Sequence, residues 1–421
     1  MNPTRQTTSA PVAAPERLHA LDAVRAGALL LGLVLHATMP FLPGQQVWMV
    51  RDEPSTTLGV LFAVPHIFRM PLFFVIAGFF ARLSLHRRGL RGFVGDRLKR
   101  IAVPLVAFWP VLFASIAAVF VWGVTRQWGP QAAEAIPQPE GSFLETFPLT
   151  HLWFLYVLLL FYGAALAARG LLAPIDRRLH LRPGVDRATK ALLRSGLAPL
   201  VLAVPTAVAL FLRQDWLMWL GVPSPDHGFL PNAPALAAFG VAFAFGWLLH
   251  RQKEELRVLE RRWLPHLVAA VGLTVAYLGI VGVTVTLDPS AQPAAQDPIT
   301  RLALALCYPL ATWTWTFGLV GLAMRFLSGP RPAVRYVADS SYWVYLVHLP
   351  ILMVAQVLLF PLDLPALAKY ALALVTTLPI MVLSYHLLVR YSYLGSLLNG
   401  RRHVRPGRRG RGERTLAAEA R

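Results

Sequence analysis

Runs of about 20 mostly apolar residues recur along the whole 421-residue chain, separated by short polar connections. An α-helix needs a run of this length to cross the hydrocarbon core of a bilayer. Charged residues make up only 14% of the chain, against about a quarter in soluble domains. The sequence therefore predicts an all-α, polytopic integral membrane protein. About ten transmembrane helices are expected, over Leu18–Pro40, Thr57–Leu83, Ile101–Val124, Leu152–Leu172, Leu197–Leu212, Ala233–His250, Trp263–Leu287, Thr300–Leu327, Val337–Phe360 and Ala366–Arg390.

These spans divide the chain into an N-terminal tail (1–17), a transmembrane domain (18–390) and a basic C-terminal tail (391–421). The first 17 residues have no apolar core, so the first span is expected to be an uncleaved anchor rather than a signal peptide. The fifth span is short and contains Pro199 and Pro205. It is the span most expected to be kinked or re-entrant.

Lysine and arginine residues are concentrated in alternate connections. Leu85–Arg100 carries six of them, whereas each odd-numbered connection carries about one. Cytoplasmic loops are enriched in these residues, so both termini are predicted to be cytoplasmic. The basic residues that give the net charge of +19 thus lie at one face of the membrane, where they would contact the lipid bilayer. No nucleic-acid partner is therefore expected. The single cysteine, Cys307, excludes an intrachain disulfide and a cysteine-based metal site.

The first span holds Asp22, Arg25 and His36. Ionisable side chains within a membrane are costly and usually mark functional sites. Arg25 and His36 are 11 residues apart, which at 100° per residue places both on one helix face, about 16 Å apart along the axis. Asp22 can pair with Arg25 one turn away. The structural alternative for His36 is a histidine satisfied by a helix–helix contact.

Further polar side chains interrupt other spans. The second span carries His66 and Arg69 near its middle, and an arginine there must be paired, hydrated or facing a cavity. His151 and Trp153 open the fourth span, although an interfacial tryptophan often serves only as an anchor. Tyr345 and His348 lie on one face of the ninth span. Arg390, at the end of the last span, is expected to extend to the membrane interface.

Four blocks of sequence together resemble the membrane-bound acyltransferase 3 family, over about Leu18 to Arg390. Within it, the chain looks most like the osmoregulated periplasmic glucan biosynthesis protein C branch. The blocks are Leu21–Arg25 with His36 after ten further residues, His66–Phe80, His151–Leu155 and Tyr342–Pro350.

The resemblance implies a multi-pass O-acyltransferase of the bacterial inner membrane. Its acyl donor would be cytoplasmic acyl-CoA, carrying acetyl or succinyl, and its acceptor a carbohydrate hydroxyl on the far side. His36 would be the catalytic base with Arg25 essential, and Arg97 and Arg100 would match an Arg-x-x-Arg element at the CoA end. The residues add Arg69 and His66 to the catalytic candidates, and Tyr345, His348, His151 and Trp153 as substrate-binding candidates.

Two other classes of protein stay open from the sequence. A transporter or flippase would use the same histidines and arginines to bind a substrate in transit. A membrane scaffold would need no ionisable residues on two adjacent spans. No permanently bound cofactor or metal is expected, and the acyl group, the acceptor and the oligomeric state are left undecided.

Overall fold

The computed structural model describes residues 19–45, 48–136, 140–292 and 297–400. The N-terminal tail (1–17) and the basic tail from residue 401 lie outside this part. The described residues form helices and contain no β-strand. The α-helices are α1 (His19–Ala37), α2 (Thr56–Arg97), α3 (Val103–Trp128), α4 (Pro130–Glu134), α5 (Phe143–Thr146), α6 (Trp153–Leu179), α7 (Leu181–Ser195), α8 (Ala198–Leu212), α9 (Ala233–Arg251), α10 (Leu256–Arg261), α11 (Trp263–Val281), α12 (Pro298–Phe326), α13 (Pro332–Leu359), α14 (Ala366–Ser384) and α15 (Tyr393–Asn399).

Eight helical stretches within the described residues are long and apolar enough to cross a membrane, and the bent pair α7–α8 makes a ninth. One of the eight, Thr56–Trp128, is 73 residues long and contains two of the predicted spans. Counting it as two spans gives the predicted ten. The all-α polytopic fold is thus confirmed.

The basic segment between the second and third spans is helical, although the sequence suggested a connection. Helix α2 continues to Arg97, and a π-helix, Leu98–Ala102, joins it to α3. Gly89 interrupts α2 with φ +66°, a conformation that costs little only without a Cβ. Helix α2 is therefore made of two helical segments joined by a kink at Gly89.

The fifth span is a single helix that runs through its prolines, and the bend lies just before it. Helices α7 and α8 meet at 105°, and Gly196 at the bend has φ +82°. Helix α8 has 15 residues, or about 22 Å, which is shorter than the hydrocarbon core. Helix α7 exposes most of its surface and is therefore the polar arm of the pair.

The basic connections contact one another, so they share one end of the bundle. Asp186 of α7 pairs at 2.5 Å with Arg251, the last residue of α9, and Arg194 of α7 pairs at 2.8 Å with Glu255 in the 3-10 turn that follows. Arg325, in the last turn of α12, lies 3.9 Å from Glu260 of α10. Because Lys and Arg favour the cytoplasmic side, this end is the one expected to face the cytoplasm, and it is named the cytoplasmic end.

The opposite end is joined by contacts from the loop between α1 and α2. Trp48 Nε1 donates to Gln356 Oε1 at 2.8 Å, and Asp52 forms a buried ion pair with Lys369 at 2.9 Å. Gln356 Nε2 in turn donates to the carbonyl of His36 at 3.0 Å. The outer loop is therefore tied both to α13 and to the end of α1.

Small residues bring α2 and α9 into backbone contact. A Cβ on Gly78 would overlap the carbonyl of Phe243, and one on Gly246 would overlap the carbonyl of Val75. Close approach at small residues is the usual packing mode of membrane helices. This contact fixes α2, which carries His66 and Arg69.

Candidate active site

One face of α1 carries four of the relevant positions. Arg25 lies 3.1 Å from Asp22, the pairing expected from their spacing, and none of the described residues forms a hydrogen bond with its buried Nε. Gly32 and His36 follow on the same face, one helical turn apart. His36 lies at the end of α1 and is partly exposed. The face therefore runs from a cation on the cytoplasmic side to an imidazole on the outer side.

Arg69 of α2 packs against this face of α1 at Gly32. A Cβ on Gly32 would lie 2.2 Å from Arg69 Nη1, so the absent side chain makes the space that the guanidinium fills. Arg69 Nε is buried and has no hydrogen-bond partner within the described residues. The guanidinium lies within electrostatic range of His36, His348 and Tyr345. The structure thus places Arg69 on the same face of α1 as His36, about one helical turn away.

Three imidazoles from three helices meet at the outer end. The rings of His36 and His348 have centroids 5.4 Å apart, and those of His348 and His151 are 5.2 Å apart. His151 and His348 are buried, and Tyr345 OH donates to the His151 carbonyl at 2.6 Å. Residues of α1, the start of the fourth span and α13 are therefore one cluster.

The hydrogen bonds of this cluster assign its tautomers. His348 Nδ1 lies 2.6 Å from the Tyr345 carbonyl, and His151 Nε2 lies 3.0 Å from the Leu346 carbonyl. A carbonyl only accepts, so each of these nitrogens carries a proton and donates. His36 Nδ1, in contrast, is buried without a partner within the described residues. No carboxylate of those residues pairs with His36, so its ring is free of a fixed ionic partner.

His66 and Trp153 lie at the margins of the cluster. His66 stacks on Phe62 at 5.4 Å and is within electrostatic range of His36. Trp153 is buried in an aromatic core, stacked on Phe239 at 5.5 Å. The structure therefore places His66 within electrostatic range of His36 but without a ring contact to the three histidines among the described residues, and Trp153 among packing residues.

Arg97 and Arg100 lie at the cytoplasmic end around a shared carboxylate. Arg100 Nε is 3.1 Å and Arg97 Nη2 3.8 Å from Asp96, which also binds Arg88 at 2.6 Å. Arg97 also packs over the ring of Tyr162 at 5.1 Å. Three arginines share one acid, so the cluster keeps a net positive charge suited to an anion.

Residues of α13 connect this basic cluster with the histidines. Tyr342 OH donates to the Arg100 carbonyl at 2.7 Å, and the rings of Tyr342, Tyr345 and His348 follow at 6.4 and 6.2 Å. Six residues of helix span about 9 Å. Side chains of α13 therefore form an unbroken series of contacts between Arg100 at one end and His36 at the other.

Sequence reasoning missed two residues of this arrangement. The only sequence signal for Gly32 is its spacing of four residues from His36, which places both on one helix face. Nothing in the sequence indicates that Gly32 contacts Arg69. Gln356, which binds the His36 carbonyl, is an isolated amide in an apolar span. Its polarity within the ninth span was the available signal.

No group of three or more His, Cys, Asp or Glu side chains in the described part of the chain is arranged to hold a metal ion. The site is thus made of imidazoles, guanidinium groups and phenols on membrane helices.

A family described as an acyltransferase domain matches residues 18–386, which cover almost the whole membrane domain. The chain therefore belongs to the acyltransferase 3 family and is a membrane acyltransferase.

Among curated proteins, the chain is similar to glucans biosynthesis protein C of Salmonella paratyphi B, with 24% identity over 92% of this chain and 96% of that protein. It is 30% identical to the proteins of the same name from Shigella dysenteriae serotype 1 and Escherichia coli (strain SMS-3-5 / SECEC). Those two alignments cover 34% of this chain and 36% of each relative, so they span just over a third of the relatives' length. No solved structure matches the chain.

Proposed function

We propose that this protein is an O-acyltransferase of the bacterial inner membrane. It would move an acetyl or succinyl group from cytoplasmic acyl-CoA to a hydroxyl of an extracytoplasmic glycan, such as a periplasmic glucan. The membrane fold and the acyltransferase 3 family support the reaction class. The names of the similar relatives support a glucan acceptor.

The observation that carries the proposal is the position of Arg69, which packs on the face of α1 that also carries His36. An imidazole with an unpartnered buried nitrogen lies one helical turn from the position where a guanidinium packs on α1. An acyl transfer needs a base for the attacking hydroxyl and a positive charge for the oxygen of the carbonyl. These two side chains meet both needs.

In the proposed reaction, neutral His36 takes the proton from the acceptor hydroxyl as its oxygen attacks the thioester carbonyl carbon. Arg69 stabilises the negative charge on the carbonyl oxygen in a site that is largely protein-enclosed. The new C–O ester bond forms and the C–S bond breaks. The proton then passes from the His36 imidazolium to the departing CoA thiolate.

The two substrates would approach from opposite ends. Arg97 and Arg100 suit the phosphates of CoA, because a guanidinium binds phosphate through two parallel hydrogen bonds. Arg25, paired with Asp22, lies between that end and His36 and would orient the donor. His151, His348 and Tyr345 would contact the acceptor hydroxyl from the outer side.

The test uses purified protein in nanodiscs with acyl-CoA and a glucan acceptor, and follows both CoA release and the added mass on the glycan. His36→Ala and His36→Gln are expected to reduce transfer by about 100-fold or more. His266→Gln, a histidine of α11 that packs on Phe317, is the matched control and should keep the wild-type rate.

Two results would contradict the proposal. A stably inserted His36→Ala protein that still acylates at the wild-type rate would remove His36 from the chemistry. A wild-type protein that moves a solute across the membrane and leaves the CoA thioester intact would instead be a transporter. Mass spectrometry of cell-envelope glycans, with and without the gene, then separates acetyl from succinyl.

A further inference from the structure

Arg390, at the end of the last span, is a partly buried arginine with two hydrogen-bond donors that are unused within the described residues. It follows the π-helix Tyr385–Val389, which ends the last span. Its guanidinium carbon lies 4.7 Å from the ring centre of Tyr336 on α13. Its Nε and Nη1 are both buried and have no hydrogen-bond partner within the described residues. Leaving charged donors unpaired is costly, so their retention points to a ligand.

The backbone around Arg390 is held in place. Its N–H donates to the Tyr385 carbonyl at 2.9 Å. Gly395 of α15 packs so closely on Val389 that a Cβ there would overlap the Val389 carbonyl. Tyr336, under the guanidinium, also lies 3.3 Å from His386 through its hydroxyl. The guanidinium therefore has a fixed platform and needs little ordering to bind an anion.

Helix α15 connects this position with the basic cluster around Asp96. Its start packs on Val389, and Gly400, just after its end, packs on the guanidinium of Arg100. Seven residues of helix are about 10 Å long. Arg390 and Arg100 are therefore held at two ends of one short helix, at the cytoplasmic end of the bundle.

We propose that Arg390, on its Tyr336 platform, binds a second phosphoryl group, separate from the one taken by Arg97 and Arg100. Guanidinium groups prefer phosphate because their paired N–H donors match its oxygens. CoA carries phosphate at two separate positions, the diphosphate and the 3′-phosphate, and Arg390 would take the 3′-phosphate. An anionic lipid headgroup offers the same chemistry at this membrane boundary. The CoA assignment rests on the proposed function, whereas the phosphoryl site itself does not.

The experiment measures binding without turnover, in nanodiscs of neutral phosphatidylcholine. Wild-type protein is titrated with CoA and with 3′-dephospho-CoA, and so are Arg390→Ala and Arg390→Lys. Loss of a charge-assisted hydrogen bond should weaken CoA binding by about 10- to 100-fold in Arg390→Ala. Affinity for 3′-dephospho-CoA should stay unchanged, and Arg390→Lys should recover only part of the loss. Arg335→Ala, an exposed arginine beside Tyr336, is the control with the same change in charge.

A second arm compares thermal stability in phosphatidylcholine and phosphatidylglycerol nanodiscs. If Arg390→Ala loses only the stabilisation by phosphatidylglycerol, the phosphoryl group belongs to a lipid. If it keeps both that stabilisation and the preference for CoA over 3′-dephospho-CoA, the proposed site is wrong. The thermal midpoint without ligand shows whether each variant is folded. Because no acyl transfer is measured, these outcomes are independent of whether the proposed reaction occurs.

Discussion

Replacing Gly32 by alanine tests whether Arg69 acts through its position on α1. The new Cβ would lie 2.2 Å from Arg69 Nη1, whereas a non-bonded contact needs about 3.5 Å. The guanidinium must therefore move by about 1.3 Å. Misplacement of a catalytic group by about 1 Å can cost about 100-fold in rate, which corresponds to about 2.7 kcal/mol of activation free energy.

The fold should tolerate this change, because the atom that must move is the end of a flexible side chain. Alanine is also favoured over glycine within a helix, by about 0.5–1 kcal/mol. The assay is the initial rate of CoA release in nanodiscs, with thermal unfolding measured on the same samples. Gly27→Ala is the matched control, since it lies on α1 and a Cβ there would meet nothing within 4 Å.

We expect Gly32→Ala to lose between 10- and 100-fold in rate, on the order of 1.4–2.7 kcal/mol, with its thermal midpoint preserved, and Gly27→Ala to match wild type. A Gly32→Ala protein with the wild-type rate would refute the reasoning, because Arg69 would then work equally well after being displaced. An equal loss in both variants would mean that α1, rather than Arg69, is disturbed.

Two further predictions concern ion pairs at the two ends of the bundle. The hydrogen bond from Arg194 holds the pKa of Glu255 below its ordinary value, so this pair should stabilise the docking of α7 above about pH 4.3 and lose that effect as the pH falls further. Hydrogen exchange of α7 should therefore rise in acid, and it should rise less in Glu255→Gln, where the contact is already lost. Glu254→Gln should behave as wild type. Lys369→Met leaves the buried carboxylate of Asp52 without its partner, which should lower the free energy of unfolding by about 3–5 kcal/mol. Adding Asp52→Asn to Lys369→Met should recover part of that loss. If the losses of the two single variants simply add in the double variant, the two residues are not a coupled pair.

The order of the spans could be predicted from the sequence because the length of an apolar run is set by the bilayer alone. The exceptions are local. The basic segment after Leu83 is predicted to be a connection because its charge ends the apolar run, yet α2 continues through it and only Gly89 has non-helical dihedral angles. The angle between α7 and α8 depends on Gly196 and on contacts with α9, which hydrophobicity does not report.

Within one helix, periodicity placed Arg25 and His36 on the same face, because the twist per residue is fixed. Contacts between helices were beyond such reasoning. His151 and His348 are almost 200 positions apart in the sequence and meet only through the packing of α13. The fit of Arg69 on Gly32 depends on an absent side chain, which leaves no mark in composition or periodicity.

The histidine cluster draws on the first, fourth and ninth spans, and this has a consequence for biogenesis. A ribosome releases these segments into the membrane one after another, so α1 is inserted long before α13 exists. Until the ninth span arrives, His36 lacks the neighbour that His348 provides, and the amide of Gln356 is not yet present to bind the end of α1. A nascent chain therefore gains its complete site only near the end of translation, and shortened products that stop before α13 should be inserted but inert.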